Sequence, residues 1–165
     1  MAALGTGAKA PEFELRTLDG KPFSLEDELS RSAVVLVFFK VSCPTCQYAL
    51  PFYERLYKAY ERQGVTLVGV SQNDAKETAA FNKEFGIAFP VLLDDPRSYP
   101  VSNAYGLTNV PTIFWIAQDG EIEVSSVGWL KADFEEINRR MAEAGKLAPT
   151  AMFMPGEDVR DFRAG

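Results

Sequence analysis

The sequence predicts an α/β fold, in which a central mixed β-sheet has helices on both faces and a β-hairpin at its N-terminal end. Candidate strands and helices alternate along the 165 residues in the order β, α, β, α, β, β, α. Two candidate strands, SAVVLVFF and VTLVGVS, are almost wholly apolar, which is typical of strands covered on both faces. Because parallel strands need crossover connections, we expect the intervening helices to pack against this sheet.

The N-terminal hairpin is predicted in the segment EFELRTLDGKPFSL. Apolar residues alternate there around Phe13 and Leu15, and Asp19-Gly20 supplies a tight turn before Phe23. The buried strand SAVVLVFF follows this hairpin.

The next element is a helix from Pro44 to about Gln63, which Gly64 ends. Its large apolar residues recur at helical spacing, so that one face of the helix can pack on the sheet. These residues are Tyr48, Phe52, Leu56 and Tyr60.

The second half of the chain continues with the strand VTLVGVS and the helix DAKETAAFNKEFG, capped by Asn73 or Asp74 and closed by Gly86. The segment FPVLLDD is short and strand-like, and YPVSNAYGL is typical of a broken helix. The clearest hairpin is TIFWIAQDGEIEVSSVG, with its turn at QDG. A last helix is predicted over about residues 132–145, with three apolar residues on one face: Phe134, Ile137 and Met141.

The chain divides into a predicted domain of residues 1–145 and a C-terminal tail of residues 146–165, KLAPTAMFMPGEDVRDFRAG. An apolar content of 47% suits one core of moderate size in a chain of this length. The tail has two prolines and no regular period, which favours a mobile terminus. The alternative is that Met152, Phe153 and Met154 dock on the body, because three solvated apolar residues in a row are unusual.

Charge and hydropathy limit the partners. With a formal charge of -6 and scattered lysines and arginines, the chain has no basic stripe that could follow nucleic acid, so we expect no nucleic-acid partner. No apolar run approaches the roughly 20 residues that span a bilayer, and MAALGTGAKA lacks the features of a signal peptide. We therefore expect a cytoplasmic monomer with no membrane segment. A periplasmic or membrane-tethered protein is the alternative if a leader or anchor has been removed.

The chain contains two cysteines and no histidine. The missing histidine excludes Cys-His nucleophile pairs, Ser-His-Asp triads and most zinc sites. Two cysteines supply only half of the ligands of a structural zinc, and they cannot form the disulfide framework of a small secreted module. We expect neither a metal nor a cofactor.

Both cysteines lie in FFKVSCPTCQYALP. A strand that ends at Phe39 and a helix that begins at Pro44 place Cys43 at the helix N-cap, where unpaired N–H groups and the helix dipole favour a thiolate. Cys46 lies on the same face one turn further on, so the two sulfurs can meet in a disulfide. This pattern predicts Cys43 as the attacking thiol and Cys46 as the resolving thiol. The alternative without chemistry is a pair of small buried hydrophobic residues.

Four features together resemble a thioredoxin-fold thiol-disulfide oxidoreductase of the TlpA/ResA type, which is related to the alkyl hydroperoxide reductase and thiol-specific antioxidant (AhpC/TSA) group. They are SCPTC, Pro51 in the following helix, NVPTIFWI, which is similar to the family's cis-proline loop, and the closing hairpin of QDGEI and SSVGW. The resemblance covers residues 10–145. It implies a thioredoxin-like fold, with Pro111 opposite the cysteines and a Val110 backbone that pairs with a substrate strand.

Trp129 follows the closing hairpin, and we predict that it lies near Cys43. We expect it to form, with Pro44, Val110 and Pro111, an apolar patch that contacts the partner protein. The alternative is an ordinary, half-buried tryptophan, because large aromatic residues are often only partly exposed.

Three positions depart from the family pattern. Ser42 precedes Cys43, where the family usually has tryptophan, and the positions of the family's buried carboxylate hold Val37 and Ala49. Lys40 is predicted to substitute in part by holding Cys43 as a thiolate, because a nearby cation lowers the pKa of a thiol. The alternative is a solvated lysine at the end of a strand.

A peroxiredoxin-like thiol peroxidase is the rival enzyme, and its site resembles P-x-x-x-T-x-x-C. For Cys43 the proline and threonine positions hold Leu36 and Lys40, and for Cys46 they hold Phe39 and Cys43, so neither cysteine fits. A third possibility is a thioredoxin-fold binding module that never cycles, which would have no use for an intact C-P-T-C.

The predicted partners are protein disulfide or dithiol substrates and an unidentified reductase or oxidase.

Overall fold

The computed structural model describes residues 2–61 and 63–165. It contains the following strands: β1 Glu14–Thr17, β2 Pro22–Ser24, β3 Ala33–Phe39, β4 Val65–Ser71, β5 Val91–Leu93, β6 Thr112–Ile116, β7 Ile122–Val127, β8 Trp129–Leu130 and β9 Phe162–Arg163. The helices are α1 Leu25–Leu29, α2 Pro44–Tyr60, α3 Ala75–Phe85, α4 Pro100–Ala104 and α5 Lys131–Ala144. Within the described ranges, none of these helices has both the length and the apolar character to cross a membrane.

Seven strands form one mixed sheet in the order β2-β1-β5-β4-β3-β6-β7. The pairs β3–β4 and β4–β5 are parallel, whereas β6 runs antiparallel to β3 and β7 antiparallel to β6. The N-terminal hairpin β1–β2 joins the sheet at β5. The mixed sheet and the N-terminal hairpin that the sequence predicts are confirmed.

The central strand β3 is buried on both faces, as its apolar sequence predicts. Alternate side chains point to opposite sides of a strand, so β3 contributes to two hydrophobic clusters. One cluster contains Val35, Val37 and Phe39 with apolar residues of α2, α3 and α5. The other contains Val34, Leu36 and Phe38 with Leu25 of α1 and Val101 of α4. Helices therefore cover both faces of the sheet.

Two local details refine the sequence prediction. The N-cap of α3 is Asp74, whose carboxylate accepts a hydrogen bond from the backbone N–H of Glu77. Asn73 has another role, since its side-chain oxygen accepts the N–H of Val41 in the loop before the cysteines. The sequence pattern missed α1, whose five residues LEDEL are too short to show a helical period.

The C-terminal tail packs on the body of the domain, so the mobile terminus that the sequence favours is wrong for these residues. Met152 is buried and Phe153 packs on Phe52, whereas Met154 is largely exposed. Strand β9 then pairs with β8 in a second, two-stranded sheet. The alternative prediction, that Met152, Phe153 and Met154 dock on the domain, therefore holds for Met152 and Phe153 but not for Met154.

Candidate active site

The end of β3 and the start of α2 position the two cysteines. Cys43 is the N-cap of α2, and its sulfur accepts a hydrogen bond from the backbone N–H of Cys46 at 3.1 Å. Pro44 occupies the first turn, where its missing N–H leaves no hydrogen bond unmade. Both cysteines are free thiols; Cys43 is partly exposed and Cys46 is fully buried. One sulfur thus faces the surface and the other lies behind it.

The loop before β6 lies against Cys43. The peptide bond between Val110 and Pro111 is cis, and the Cys43 sulfur lies 3.3 Å from the carbonyl oxygen of Val110, to which it donates a hydrogen bond when it is protonated. Val110 is partly exposed and Pro111 is buried. The structure therefore brings Val110 and Cys43 together. Each is followed in the chain by a proline: Val110 by buried Pro111, and Cys43 by exposed Pro44.

The two thiols have opposite electrostatic environments. The pKa of Cys43 is lowered from 9.0 to about 6, first by the side chain of Cys46, then by the backbone N–H groups of Cys46 and Thr45, and last by the charge of Arg163. Burial raises the pKa of Cys46 well above its ordinary range, and the neighbouring Cys43 raises it further. At neutral pH the site therefore holds a thiolate at Cys43 and a thiol at Cys46.

The C-terminal tail brings a cation, Arg163, whose charge lowers the pKa of Cys43. The ammonium of Lys40 lies over the ring of Tyr99, 5.6 Å from its centroid. The guanidinium of Arg163, in β9 of the tail, stacks on the ring of Tyr48 at 4.7 Å. The role of Lys40 as a tuning residue stays a prediction, and Arg163 is a second cation at the site that the sequence did not indicate.

Trp129 does not belong to an exposed patch. It is only 1% exposed, and its ring packs on aromatic residues of α2 and α5. Its indole N–H donates to the carbonyl oxygen of Arg160 at 2.6 Å. The structure therefore corrects the prediction that Trp129 meets the partner, because the tail covers the side of β8 that the sequence left open.

Val37 and Ala49, the two positions where the resemblance implies a buried carboxylate, are apolar and fully buried in the core. The buried carboxylate of α2 is Glu54, which accepts hydrogen bonds from the backbone N–H groups of Ala88 and Phe89. Glu54 therefore holds the loop before β5.

Sequence reasoning missed the tail residues of the site. The hydroxyl of Thr45, between the cysteines, donates to the carbonyl oxygen of Ala164 at 2.6 Å, and the charge of Arg163 lowers the pKa of Cys43. The apolar run of Met152 to Met154 was the available signal for a docked tail. It gave no indication that the tail continues to the cysteines.

Proteins with this sheet, this helix-capping thiolate and this buried second thiol form the class of thioredoxin-fold thiol-disulfide oxidoreductases, and the chain is one of them. The family model of the AhpC/TSA family matches residues 6–125. The chain belongs to the AhpC/TSA family.

Named relatives agree with this class. The chain is 32% identical over 136 residues to thiol-disulfide oxidoreductase ResA of Geobacillus thermodenitrificans. The aligned region covers 81% of this chain and 76% of that protein. It is 35% identical over 133 residues to ResA of Halalkalibacterium halodurans, covering 79% and 74%. Among solved structures, a thiol:disulfide interchange protein of Chlorobium tepidum superposes with a TM-score of 0.66 at 32% identity, covering 86% of this chain and 99% of that one.

Proposed function

We propose that the protein reduces disulfides in protein substrates, with Cys43 as the attacking nucleophile and Cys46 as the resolving thiol. The observation that carries this proposal is the asymmetry of the pair. Cys43 is partly exposed, with a pKa lowered to about 6, and the fully buried Cys46 donates its backbone N–H to the Cys43 sulfur. Thiolates and not thiols attack disulfides, so only Cys43 is ready to react at neutral pH.

The first step joins Cys43 to the substrate. The thiolate of Cys43 attacks one sulfur of the substrate disulfide, a Cys43–substrate disulfide forms, and the second substrate sulfur leaves as a thiolate that takes a proton from water. The hydrogen bond that the Cys43 sulfur accepts from the backbone N–H of Cys46 holds this sulfur at the start of α2.

The second step releases the substrate. Cys46 loses its proton to solvent and attacks the sulfur of Cys43, so the Cys43–Cys46 disulfide forms and the first substrate sulfur leaves as a thiolate that takes a proton from solvent. Two electrons have then passed from the cysteine pair to the substrate. Once Cys43 is in a mixed disulfide, it no longer carries the negative charge that helps to raise the pKa of Cys46. The loss of that charge favours the resolving attack.

The exposed surface around the pair is the proposed substrate site. Pro44 and Val110 flank Cys43, and the carbonyl of Val110 points at the Cys43 sulfur. A substrate segment that lies along Val110 therefore brings its own sulfur close to Cys43. A dithiol reductant then returns two electrons to the Cys43–Cys46 disulfide. If the partner proteins instead supply dithiols, the disulfide form oxidises them, and an oxidase restores the Cys43–Cys46 disulfide.

The test is turnover of insulin disulfides with dithiothreitol as reductant. The wild-type protein accelerates reduction, and Cys43→Ser abolishes the acceleration, because the nucleophile is gone. Hydrogen peroxide is the matched alternative substrate, and we expect it to be consumed only at the rate of an ordinary thiolate. Saturable, rapid peroxide turnover without insulin reduction would contradict the proposal and favour a thiol peroxidase.

A further inference from the structure

The last six residues of the chain, 160–165, lie across the cysteine site, and we call them the strap. On one side, the hydroxyl of Thr45 donates to the carbonyl oxygen of Ala164 at 2.6 Å. On the other side, the side-chain amide of Asn109 donates to the oxygen of Gly165 at 3.3 Å. The strap thus joins the start of α2 to the loop of Val110.

Two glycines mark close approaches between the strap and the rest of the domain: Gly165 in the strap and Gly128 before β8. A Cβ atom at Gly165 would lie 2.5 Å from the carbonyl oxygen of Val110, and this oxygen lies 3.3 Å from the Cys43 sulfur. A Cβ atom at Gly128 would lie 2.5 Å from the carbonyl oxygen of Arg163. The backbone of a second peptide segment cannot occupy the position beside Val110 while the strap is there.

The strap is held as an added strand. Phe162 and Arg163 pair antiparallel with Leu130 and Trp129. The backbone N–H of Lys131 donates to the backbone carbonyl oxygen of Asp161. Strand addition is a common way in which a protein binds an extended peptide, with main-chain hydrogen bonds for affinity and side-chain positions for specificity. The strap therefore has the form of a bound peptide ligand that belongs to the same chain.

The polar character of these contacts makes the strap displaceable. All of its residues except Arg163 are exposed, including the side chain of Phe162. A segment with few buried apolar contacts opens locally at low free-energy cost. An incoming peptide can also replace its main-chain hydrogen bonds. The preceding part of the tail is anchored differently, by buried Met152 and by the paired hydrogen bonds of Arg55 with Glu157.

We propose that the strap is an intramolecular occupant of the substrate cleft, and that a protein disulfide reaches Cys43 only after the strap has been displaced. This inference rests on the proposed thiol-disulfide exchange. The partner segment is extended, binds through its main chain and carries small residues where Ala164 and Gly165 now meet Thr45 and Val110. A small disulfide needs no such displacement, because Cys43 is partly exposed with the strap in place.

The test compares two disulfides in two matched variants at pH 8, where Cys43 is a thiolate. Gly165→Val places a side chain against Val110 and lifts the strap, whereas Gly5→Val adds the same side chain where nothing lies within 4 Å. We expect Gly165→Val to raise the rate with insulin about tenfold, as when the open state becomes ten times more populated. The rate with dithiobis(nitrobenzoic acid) should change less than twofold, and Gly5→Val should match the wild type with both.

A synthetic peptide of residues 159–165 supplies a second measurement. At millimolar concentration it should inhibit insulin reduction by the Gly165→Val variant. The same peptide with its glycine replaced by valine should not. An insulin rate that is unchanged or lower in Gly165→Val, or equal effects of the two peptides, would overturn the strap proposal. If the wild type reacts with neither disulfide, it is the exchange function itself that fails.

Discussion

The sulfur of Cys43 lies 3.3 Å from the carbonyl oxygen of Val110, which is 67 positions further along the chain. The sheet register creates this contact. Strand β3 ends just before Cys43, β6 begins just after Val110, and the two strands are antiparallel neighbours with Phe38 opposite Thr112. The nucleophile and the loop that we propose for substrate binding therefore meet at one edge of the sheet.

The alkylation rate of Cys43 should follow the low pKa of its thiol. With iodoacetamide, we expect a half-maximal rate near pH 6, because the pKa of Cys43 is about 6. Cys46→Ala should move the midpoint upward, since the Cys46 side chain is the first cause of the low pKa. Cys46→Ser keeps a hydroxyl donor at this position and should move it less. Identical midpoints in all three proteins would contradict this explanation.

The stability of the reduced protein should depend on pH through the same thiol. The pKa of Cys43 is about 6 in the folded chain and 9.0 without the fold, so the folded state binds fewer protons in that window. Stability therefore rises with pH between these values and is lost as pH falls through 6. The free energy of unfolding in urea, measured from pH 5 to 8.5, should rise in the wild type relative to Cys43→Ser. A constant difference between the two proteins would show that the pKa is not lowered by folding.

Arg163→Gln should raise the pKa of Cys43, but by less than Cys46→Ala, because the charge of Arg163 is the last of the causes that lower it. High salt should bring the wild type and this variant together, since salt screens a partly exposed charge. Arg97→Gln is the control, because Arg97 is exposed and pairs with Asp95. The measurement is the alkylation midpoint at low and high salt. Equal midpoints for Arg163→Gln and the wild type at low salt would remove Arg163 from the site.

Trp129→Ala should destabilise the protein by about 3 to 5 kcal/mol, as expected when a large aromatic side chain is removed from a core. Trp129→Phe keeps a ring but loses the hydrogen bond to Arg160, and should cost about 1 kcal/mol. Urea denaturation of the reduced proteins checks both values. Wild-type stability in Trp129→Ala, together with weaker insulin reduction, would instead support a surface role for this residue.

Local patterns were sufficient to predict most of the fold and the arrangement of the cysteine pair. Strands β3 and β4 are apolar along their length, and the helix start at Pro44 follows from residues within a few positions. The N-cap position of Cys43 is a local property, so the sequence predicts which thiol is exposed. The buried position of Cys46 follows from the same helix.

The remaining features depend on contacts between distant parts of the chain. Trp129 is buried because α2, α5 and the tail enclose it, and no pattern around residue 129 contains those partners. Arg163 acts on Cys43 because β9 pairs with the two-residue strand β8, which is too short to predict. Lys40 was the nearest cation in the sequence, but its ammonium lies over Tyr99.

Trapping the mixed disulfide distinguishes an attacking Cys43 and a resolving Cys46 from the reverse roles. Cys46→Ser and Cys43→Ser are each incubated with insulin, separated on a non-reducing gel and mapped by mass spectrometry. We expect Cys46→Ser to accumulate a disulfide between Cys43 and insulin, because the attack proceeds and the resolution does not. Cys43→Ser should trap nothing, since Cys46 is buried and protonated. Trapping by Cys43→Ser, or equal trapping by both variants, would contradict the assigned roles.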